Sequence, residues 1–147
     1  MDKKKETANE MAIEFDGHPS NEGFARVAVA AFCTQLNPTL EEVADLKTAL
    51  SEAITNAIIH GYEGEVHKIR LECKLEKNTI YIAVTDRGKG IENIEKAMQP
   101  MYTTKPELDR SGMGFVFMEA FMDQVQVESR PGEGTVVRMK KVIGGQV

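Results

Sequence analysis

The sequence predicts a fold of the α/β (α+β) class, a two-layer sandwich in which a mixed, mostly antiparallel sheet carries its helices on one face. Three observations support this. One strand pattern is followed by two helix patterns, and the other four strand patterns form two pairs with short turns. Another helix pattern lies between the pairs. The length of 147 residues suits one domain, which we place at residues 10–143 after a flexible tail at residues 1–9.

After this tail, the chain is predicted to begin with a strand and a helix. Residues 11–17 alternate apolar and polar side chains, which is typical of a strand, here one suited to a sheet edge. Ser20 or Asn21 can cap the helix that follows. Because proline and the residue before it disfavour the α conformation, we expect this helix to end before Asn37-Pro38.

The second helix is the element around which the other predictions are arranged. Thr39 and Glu42 have the spacing of a capping box at its start. The helical period is clearest over residues 46–62, and Gly61 supplies a C-terminal stop. Polar side chains recur along the margin of its apolar face at every fourth residue, namely Glu52, Asn56 and His60.

The rest of the chain is predicted to form a hairpin, a short helical piece, a long loop, a helix and a closing hairpin. These elements fall at residues 66–75 and 79–86, 91–98, 99–112, from Met113 onward, and 124–129 and 134–142. A long loop without periodicity inside a small domain is usually functional.

Composition excludes several classes of function. The net charge of -5 argues against nucleic acid or an anionic membrane as a main partner. No apolar run approaches the ~20 residues of a membrane span, and the start of the chain lacks the apolar stretch of a secretory signal. Cys33 and Cys73 lack metal-site spacing and suit a reducing compartment. We expect a cytoplasmic protein that binds neither nucleic acid nor membrane directly.

Two sets of polar residues carry chemical signals. Glu52 and Asn56 lie one helical turn apart and offer a carboxylate base and an amide oxygen for a metal, although solvated polar residues would give the same pattern. Asp86, Gly88 and Gly90 follow an apolar strand. A carboxylate there can accept a hydrogen bond from an exocyclic amine such as that of adenine, and glycines let a flat ring approach. The alternative is an ordinary Asp/Gly turn.

A third set predicts a phosphate site where the loop leads into the later helix. Backbone N–H groups at a helix N-terminus bind anions, and hydroxyl and cationic donors lie just upstream. The set is Thr103, Thr104, Lys105, Arg110, Ser111, Gly112, Met113 and Gly114. A glycine-rich hinge is the alternative. The P-loop, protein-kinase and dinucleotide fingerprints are absent from the sequence, so the three sets together favour a base, a Mg²⁺ ligand, an adenine acceptor and a phosphate cradle.

These motifs resemble those of the GHKL superfamily, which includes gyrase, Hsp90, histidine kinases and MutL. The matching segments are Glu52-x-x-x-Asn56-x-x-x-His60-Gly61, Asp86-x-Gly88-x-Gly90, Gly112-Met113-Gly114-Phe115 and Gly134-Thr135, and the resemblance covers residues 10–141. It implies the Bergerat ATP-binding fold. Arg87 and Lys89 depart modestly from the acidic or small residues usual between the glycines of the second segment and make that side more basic.

Three segments, SNEGFARVAVAAF, EAITNAIIHGY and PMYTTKPELDRSGMGF, closely resemble the serine kinases that act as anti-sigma factors in spore-forming bacteria. This resemblance implies a homodimeric protein serine kinase that uses ATP and Mg²⁺. It also implies two protein partners, a sporulation sigma factor (sigma F), which is captured in an ATP-dependent way, and an anti-anti-sigma factor, which is phosphorylated on serine.

The resemblance also implies a role for each matching residue. Glu52 would be the general base, Asn56 the Mg²⁺ ligand and Asp86 the acceptor for adenine, with Thr135 behind Asp86. Glu22 and Arg26 would contact the protein partners, which compete for that surface. The other nucleotide contacts would be Gly88, Gly90, Thr103, Thr104, Lys105, Ser111, Gly112, Met113 and Gly114. For His60, a phosphate contact and a structural role both remain open.

Three other functions are compatible with parts of this pattern. An anti-sigma kinase could serve a general-stress sigma factor instead. The detached ATP-binding domain of a histidine kinase would share the nucleotide motifs, but such a domain needs a helix bearing the phosphorylated His, which we do not find in the sequence, and usually lacks a glutamate at the position of Glu52. A binding module that holds ATP without transferring phosphate would have no use for Glu52.

Overall fold

The computed structural model describes residues 8–61, 66–88 and 114–144. These residues form five strands and three α-helices in the predicted order. The elements are β1 (Asn9–Asp16), α1 (Asn21–Cys33), α2 (Leu40–Asn56), β2 (Lys68–Glu76), β3 (Thr79–Asp86), α3 (Gly114–Phe121), β4 (Gln124–Arg130) and β5 (Gly134–Val142). A 3-10 turn (Thr34–Leu36) separates α1 from α2, and a π-helical turn (Ala57–Gly61) extends α2. The predicted helical piece at 91–98 and the loop at 99–112 lie outside the described residues.

The strands form one sheet in the order β1-β2-β3-β5-β4, so that β1 lies at an edge as predicted. Every pairing among the described strands is antiparallel. The expected two-layer α+β sandwich is therefore confirmed, but the described part of the sheet is antiparallel throughout rather than mixed. Short turns join β2 to β3 and β4 to β5, and a tight hairpin can only produce antiparallel neighbours.

The core lies between one face of the sheet, called here the inner face, and the helices. Side chains that alternate along the strands meet the apolar stripe of α2. Those with almost no solvent exposure include Leu46, Leu50 and Ile54 of α2 and Ile69, Leu71, Ile80, Ile82 and Val84 of the sheet. Burial of each such side chain contributes about 1.5–3 kcal/mol, so this single layer of contacts stabilises the domain.

The start of α2 confirms the predicted capping box. The Glu42 backbone N–H donates to Thr39 Oγ1 at 3.1 Å, and the Thr39 N–H donates to Glu42 Oε1 at 2.9 Å. The other carboxylate oxygen of Glu42 accepts a hydrogen bond from the backbone N–H of Gly144 at 2.9 Å. One buried side chain therefore both caps the helix and ties it to the end of the chain.

The predicted side-chain cap of α1 is wrong. Ser20 has helical backbone angles, φ -67° and ψ -18°, and makes no side-chain cap hydrogen bond. A capping side chain normally requires extended backbone angles at this position. Asn21 instead donates from Nδ2 to the carbonyl oxygen of Asp16 at 2.8 Å, which links the start of α1 to the end of β1.

The end of α2 differs from the regular helix that the sequence predicts up to residue 62. The α-helix ends at Asn56, and the chain continues in a π-helical turn whose Ala57 and Ile58 side chains are buried. This turn contacts β3 and β5. The widened backbone therefore brings the end of α2 to the strands that carry Asp86 and Thr135. None of the helices in the described residues is both long and apolar enough to cross a membrane.

Candidate functional site

Three polar residues form one row across the inner face of the sheet. Asp86, the last residue of β3, is paired with Thr135 of β5, and Thr135 is paired with Ser129 of β4. Asp86 and Thr135 retain only 6% and 8% of their exposure. The same face is apolar along the preceding positions of β3, so this row marks the point where the core gives way to a polar site.

Asp86 is a buried, hydrogen-bonded carboxyl group whose surroundings raise its proton affinity. Its Oδ1 accepts a hydrogen bond from the Gly88 backbone N–H at 2.9 Å. Burial raises the pKa of Asp86 to about 6, and hydrogen bonds from the backbone N–H groups of Gly88 and Thr135 partly oppose this rise. Each carboxylate oxygen has two lone pairs, so the group can still accept a hydrogen bond from an amine.

Gly134 allows β5 to approach the end of β3 closely enough to build this row. It has φ +103°, which side chains rarely tolerate, and a Cβ atom there would lie 2.2 Å from the carbonyl oxygen of Asp86. The same atom would lie 2.6 Å from the Cα of Arg87. In the Gly134-Thr135 pair, the glycine permits the close approach of the strands, and the backbone N–H of the threonine donates a hydrogen bond to Asp86.

Ser129 is a residue of this site that the sequence analysis missed. Its hydroxyl donates to the Gly134 carbonyl oxygen at 3.1 Å and lies 2.8 Å from Thr135 Oγ1. Either hydroxyl can be the donor between Ser129 and Thr135. A hydroxyl oxygen has two lone pairs, so Thr135 keeps at least one as an acceptor in both cases. The sequence held one signal for it. Ser129 follows Val125 and Val127 at every second residue of β4, so a polar side chain occurs where the alternation predicts the inner face.

Glu52 and Asn56 are half-buried in the last turns of α2. Within the part of the chain that the structure describes, the Asn56 Nδ2 atom is buried and has no hydrogen-bond partner. Such an atom costs about 1–3 kcal/mol, so its retention fits a site that a bound group completes. Rotation of the amide presents its oxygen instead, which is the type of ligand that Mg²⁺ takes. The residues present therefore fit the expected nucleotide and metal.

The other predicted nucleotide contacts are described only in part. His60 lies in the π-helical turn, and Gly88 follows β3 and donates to Asp86. Gly114 is the first residue of α3, which packs against α2. The predicted contacts that lie outside the described residues are Gly90, Thr103, Thr104, Lys105, Ser111, Gly112 and Met113.

The two residues expected to contact protein partners, Glu22 and Arg26, lie on α1 and are joined to α2 by a serine. Ser51 Oγ donates to Glu22 Oε2 at 2.6 Å and accepts from Arg26 Nη1 at 3.1 Å. Phe24 and Val27, on the same helix, are 59% and 55% exposed. We call Glu22, Phe24, Arg26 and Val27 the α1 surface. Its cation lies on the side of the helix that meets α2, and its uncovered apolar side chains lie further round the helix. The link to Ser51 was not predicted from the sequence.

Comparison with known proteins agrees with the fold and the motifs. Residues 17–141 match the family model described as the histidine kinase-like ATPase domain. An anti-sigma F factor of Thermoanaerobacter sp. (strain X514) is 56% identical over 139 residues, which are 95% of this chain and 97% of that protein. An anti-sigma F factor of Clostridium kluyveri is 57% identical over 134 residues, which are 91% of this chain and 94% of that protein.

A solved structure supports the same fold. The crystal structure of the RsbU and RsbW domains of a Mycobacterium tuberculosis protein aligns with a TM-score of 0.68 and 20% identity. The alignment covers 92% of this chain but only 32% of the other, so this chain spans about a third of that protein's length. With the buried Asp86 row, the glycine contact and the close relatives considered together, the chain belongs to the histidine kinase-like ATPase domain family and, within it, to the anti-sigma F factor family.

Proposed function

We propose that this protein is an ATP-dependent anti-sigma factor and protein serine kinase. It binds and inhibits a sporulation sigma factor of the sigma F type, and it phosphorylates a serine of an anti-anti-sigma factor in the cytoplasm. The observation that carries the proposal is the Asp86 row, a buried carboxylate at a strand end beside the end of α2, in a chain 56% identical to an anti-sigma F factor.

Nucleotide binding in this proposal involves two parts of the site, the Asp86 row on the sheet and the end of α2. Asp86 would accept a hydrogen bond from the exocyclic amine of adenine, and Thr135 would support Asp86 from the neighbouring strand. Asn56 would hold Mg²⁺ through its amide oxygen, and the ion would supply positive charge against the phosphates. The orphaned amide of Asn56 and the burial of Asp86 support these roles.

Phosphate transfer requires a base on the same helix. Glu52, one turn before Asn56, accepts the proton of the substrate serine as its oxygen bonds to the γ-phosphorus. The bond from that phosphorus to the β–γ bridging oxygen breaks, and ADP leaves with the electron pair. Positioning supplies most of the rate in such reactions, which suits a base on a rigid helix rather than on a loop.

The α1 surface is proposed as the docking site for both protein partners. Arg26 offers a cation, and the exposed Phe24 and Val27 lie further round the helix, so a partner that wraps around α1 with a carboxylate and apolar side chains would fit it. Since one surface serves both partners, the anti-anti-sigma factor would displace the sigma factor as it docks. Docking on α1 also brings the partner next to α2, the helix that carries Glu52.

The proposed homodimer would use the other face of the sheet. In the described part of the chain the helices lie on the inner face, and the outer face forms an open cavity of about 660 Å³. Its lining carries both signs of charge, from Arg70 and Lys74 to Glu10 and Glu72. A two-fold axis pairs such a face with itself, so opposite charges can meet. Light scattering should give the mass of two chains.

The decisive experiment incubates the purified chain with γ-labelled ATP and the anti-anti-sigma factor. We expect label on serine, and we expect Glu52→Gln to abolish transfer while it still captures the sigma factor. Glu41→Gln, which removes an exposed carboxylate at the other end of α2, is the matched control and should leave transfer unchanged. Wild-type rates from the Glu52 variant would remove that residue as the base.

The alternatives give different outcomes in the same assay. Acid-labile label on histidine would indicate the histidine-kinase reaction, and sigma capture without any transfer would indicate a binding module. Binding measured against a panel of purified sigma factors separates a sporulation partner from a general-stress partner.

A further inference from the structure

We infer that Ser51 is a positioning residue for partner binding, because its hydroxyl holds Arg26 in the pose that a docking protein meets. This inference rests on the proposed function, since it concerns the surface on which the partners of the kinase would dock. Ser51 lies on α2, whereas Arg26 and Glu22 lie on α1. The contact therefore joins two helices, and Ser51 follows Arg26 by 25 residues and Glu22 by 29 residues in the chain.

The hydrogen-bond pattern leaves the Ser51 hydroxyl a single role. A hydroxyl has one proton to donate, and a carboxylate can only accept, so that proton goes to Glu22 Oε2 at 2.6 Å. A guanidinium can only donate, so Arg26 Nη1 uses a lone pair of the same oxygen at 3.1 Å. Hydrogen bonds that involve charged groups are the stronger ones. Ser51 therefore donates to the Glu22 carboxylate and accepts from the Arg26 guanidinium, and the reverse arrangement is not possible.

Without this serine, the Arg26 side chain would be held only weakly. The direct distance from Arg26 Nη1 to Glu22 Oε2 is 3.6 Å, which is too long for a good hydrogen bond. The arginine side chain is 37% exposed, and exposed ion pairs hold long side chains poorly. A partner that docks on a loose arginine must first order it, and this ordering reduces its affinity.

The position of Ser51 also connects the α1 surface to the proposed base. Ser51 and Glu52 are consecutive residues of α2, so their side chains leave the helix about 100° apart. Ser51 reaches α1, and Glu52 lies on the stripe that continues to Asn56. The residue that holds the docking arginine is thus rigidly attached to the residue that would take the proton.

The test is a double-mutant cycle on partner binding. Affinity for the purified sigma factor, with ATP present, is measured by calorimetry for the wild type, Ser51→Ala, Arg26→Ala and the double variant. We expect Ser51→Ala to weaken partner binding about three- to tenfold, the cost of ordering one long side chain when the partner docks, and to leave ATP affinity unchanged. In the Arg26→Ala background the serine substitution should have no further effect.

Thr48→Val is the matched control, because the Thr48 hydroxyl bonds to Ala44 of its own helix rather than to α1. It should bind the sigma factor like the wild type. Equal losses from Ser51→Ala with and without Arg26 would show that the serine acts on the fold generally and would overturn the inference, as would no loss at all while Arg26→Ala still weakens binding. If Arg26→Ala itself has no effect, the proposed docking surface fails, and the role of Ser51 fails with it.

Discussion

Substitution of Gly134 tests the close contact that builds the proposed nucleotide site. In Gly134→Ala the new methyl group would lie 2.2 Å from the carbonyl oxygen of Asp86, although real contacts of this kind are almost never under 3.0 Å. The neighbour is backbone, which cannot rotate away as a side chain can. The start of β5 and the end of β3 would therefore have to separate by roughly 1 Å, a shift typical of overpacked sites.

The expected loss of folding stability in Gly134→Ala has two parts, which a control variant can separate. A side chain at φ +103° costs about 1–3 kcal/mol in backbone strain, and the steric contact adds about 1–3 kcal/mol. Gly132→Ala pays only the first cost, since Gly132 has φ +82° and nothing within 4 Å of a new Cβ. The two variants should therefore differ by about 2 kcal/mol, or roughly 6 °C in Tm for a domain of this size.

Thermal unfolding followed by circular dichroism measures the difference in Tm between the two variants. Calorimetry measures how the substitution at Gly134 changes ATP affinity. Separation of the strands moves the backbone N–H of Thr135 away from Asp86, so we expect ATP affinity to fall at least about tenfold in Gly134→Ala, the loss of one charged hydrogen bond. Gly132→Ala should bind ATP like the wild type. If both variants melt at the same temperature and bind ATP equally, the close approach is not what positions Asp86.

Two further predictions concern the same row. The raised pKa of Asp86, about 6 rather than 3.8, means that folding favours its neutral form by about 3 kcal/mol below pH 3.8, a contribution lost as pH rises through about 6. In the proposed site the amine of adenine bonds to the ionised form of Asp86, so ATP affinity should rise about tenfold from about pH 5 to 7. Asp86→Asn should bind ATP more weakly, and its ATP affinity should no longer rise between about pH 5 and 7. If the affinity of this variant still rises with pH as in the wild type, a group other than Asp86 is responsible for the pH dependence. Ser129→Ala should weaken ATP binding about three- to tenfold through Thr135, whereas Thr79→Val, a hydroxyl at the far end of β3, should not; equal effects would remove Ser129 from the site.

Much of the fold could be predicted because its signals are local. The alternation of β2 and β3, their short turn and the Thr39–Glu42 capping box all depend on residues a few positions apart. Hydrogen bonding over such distances is determined by backbone period and residue type. Asp86 was chosen as a candidate site residue for the same reason, since a carboxylate that ends an apolar strand is visible in the sequence.

Local signals also led to two errors. Ser20 has the residue type of a helix cap, yet its backbone is helical and its side chain does not cap α1. The regular period of α2 continues past Asn56, but the chain forms a π-helical turn that packs on β3 and β5. In each case contacts with another element outweigh a propensity worth about 1 kcal/mol or less.

By itself, the sequence determined the order of the elements and the face of each strand that enters the core, and it supplied the candidate residues for the proposed chemistry. The tertiary structure alone decided which of them meet: Ser129 with Thr135 across a strand pair, Ser51 with Arg26 across two helices, and Glu42 with Gly144, which lies 102 residues later in the chain. The physical reason is range. Periodicity and capping act within a few residues, whereas a hydroxyl or carboxylate finds a distant partner only after packing of the apolar faces has fixed the strand register and the helix positions.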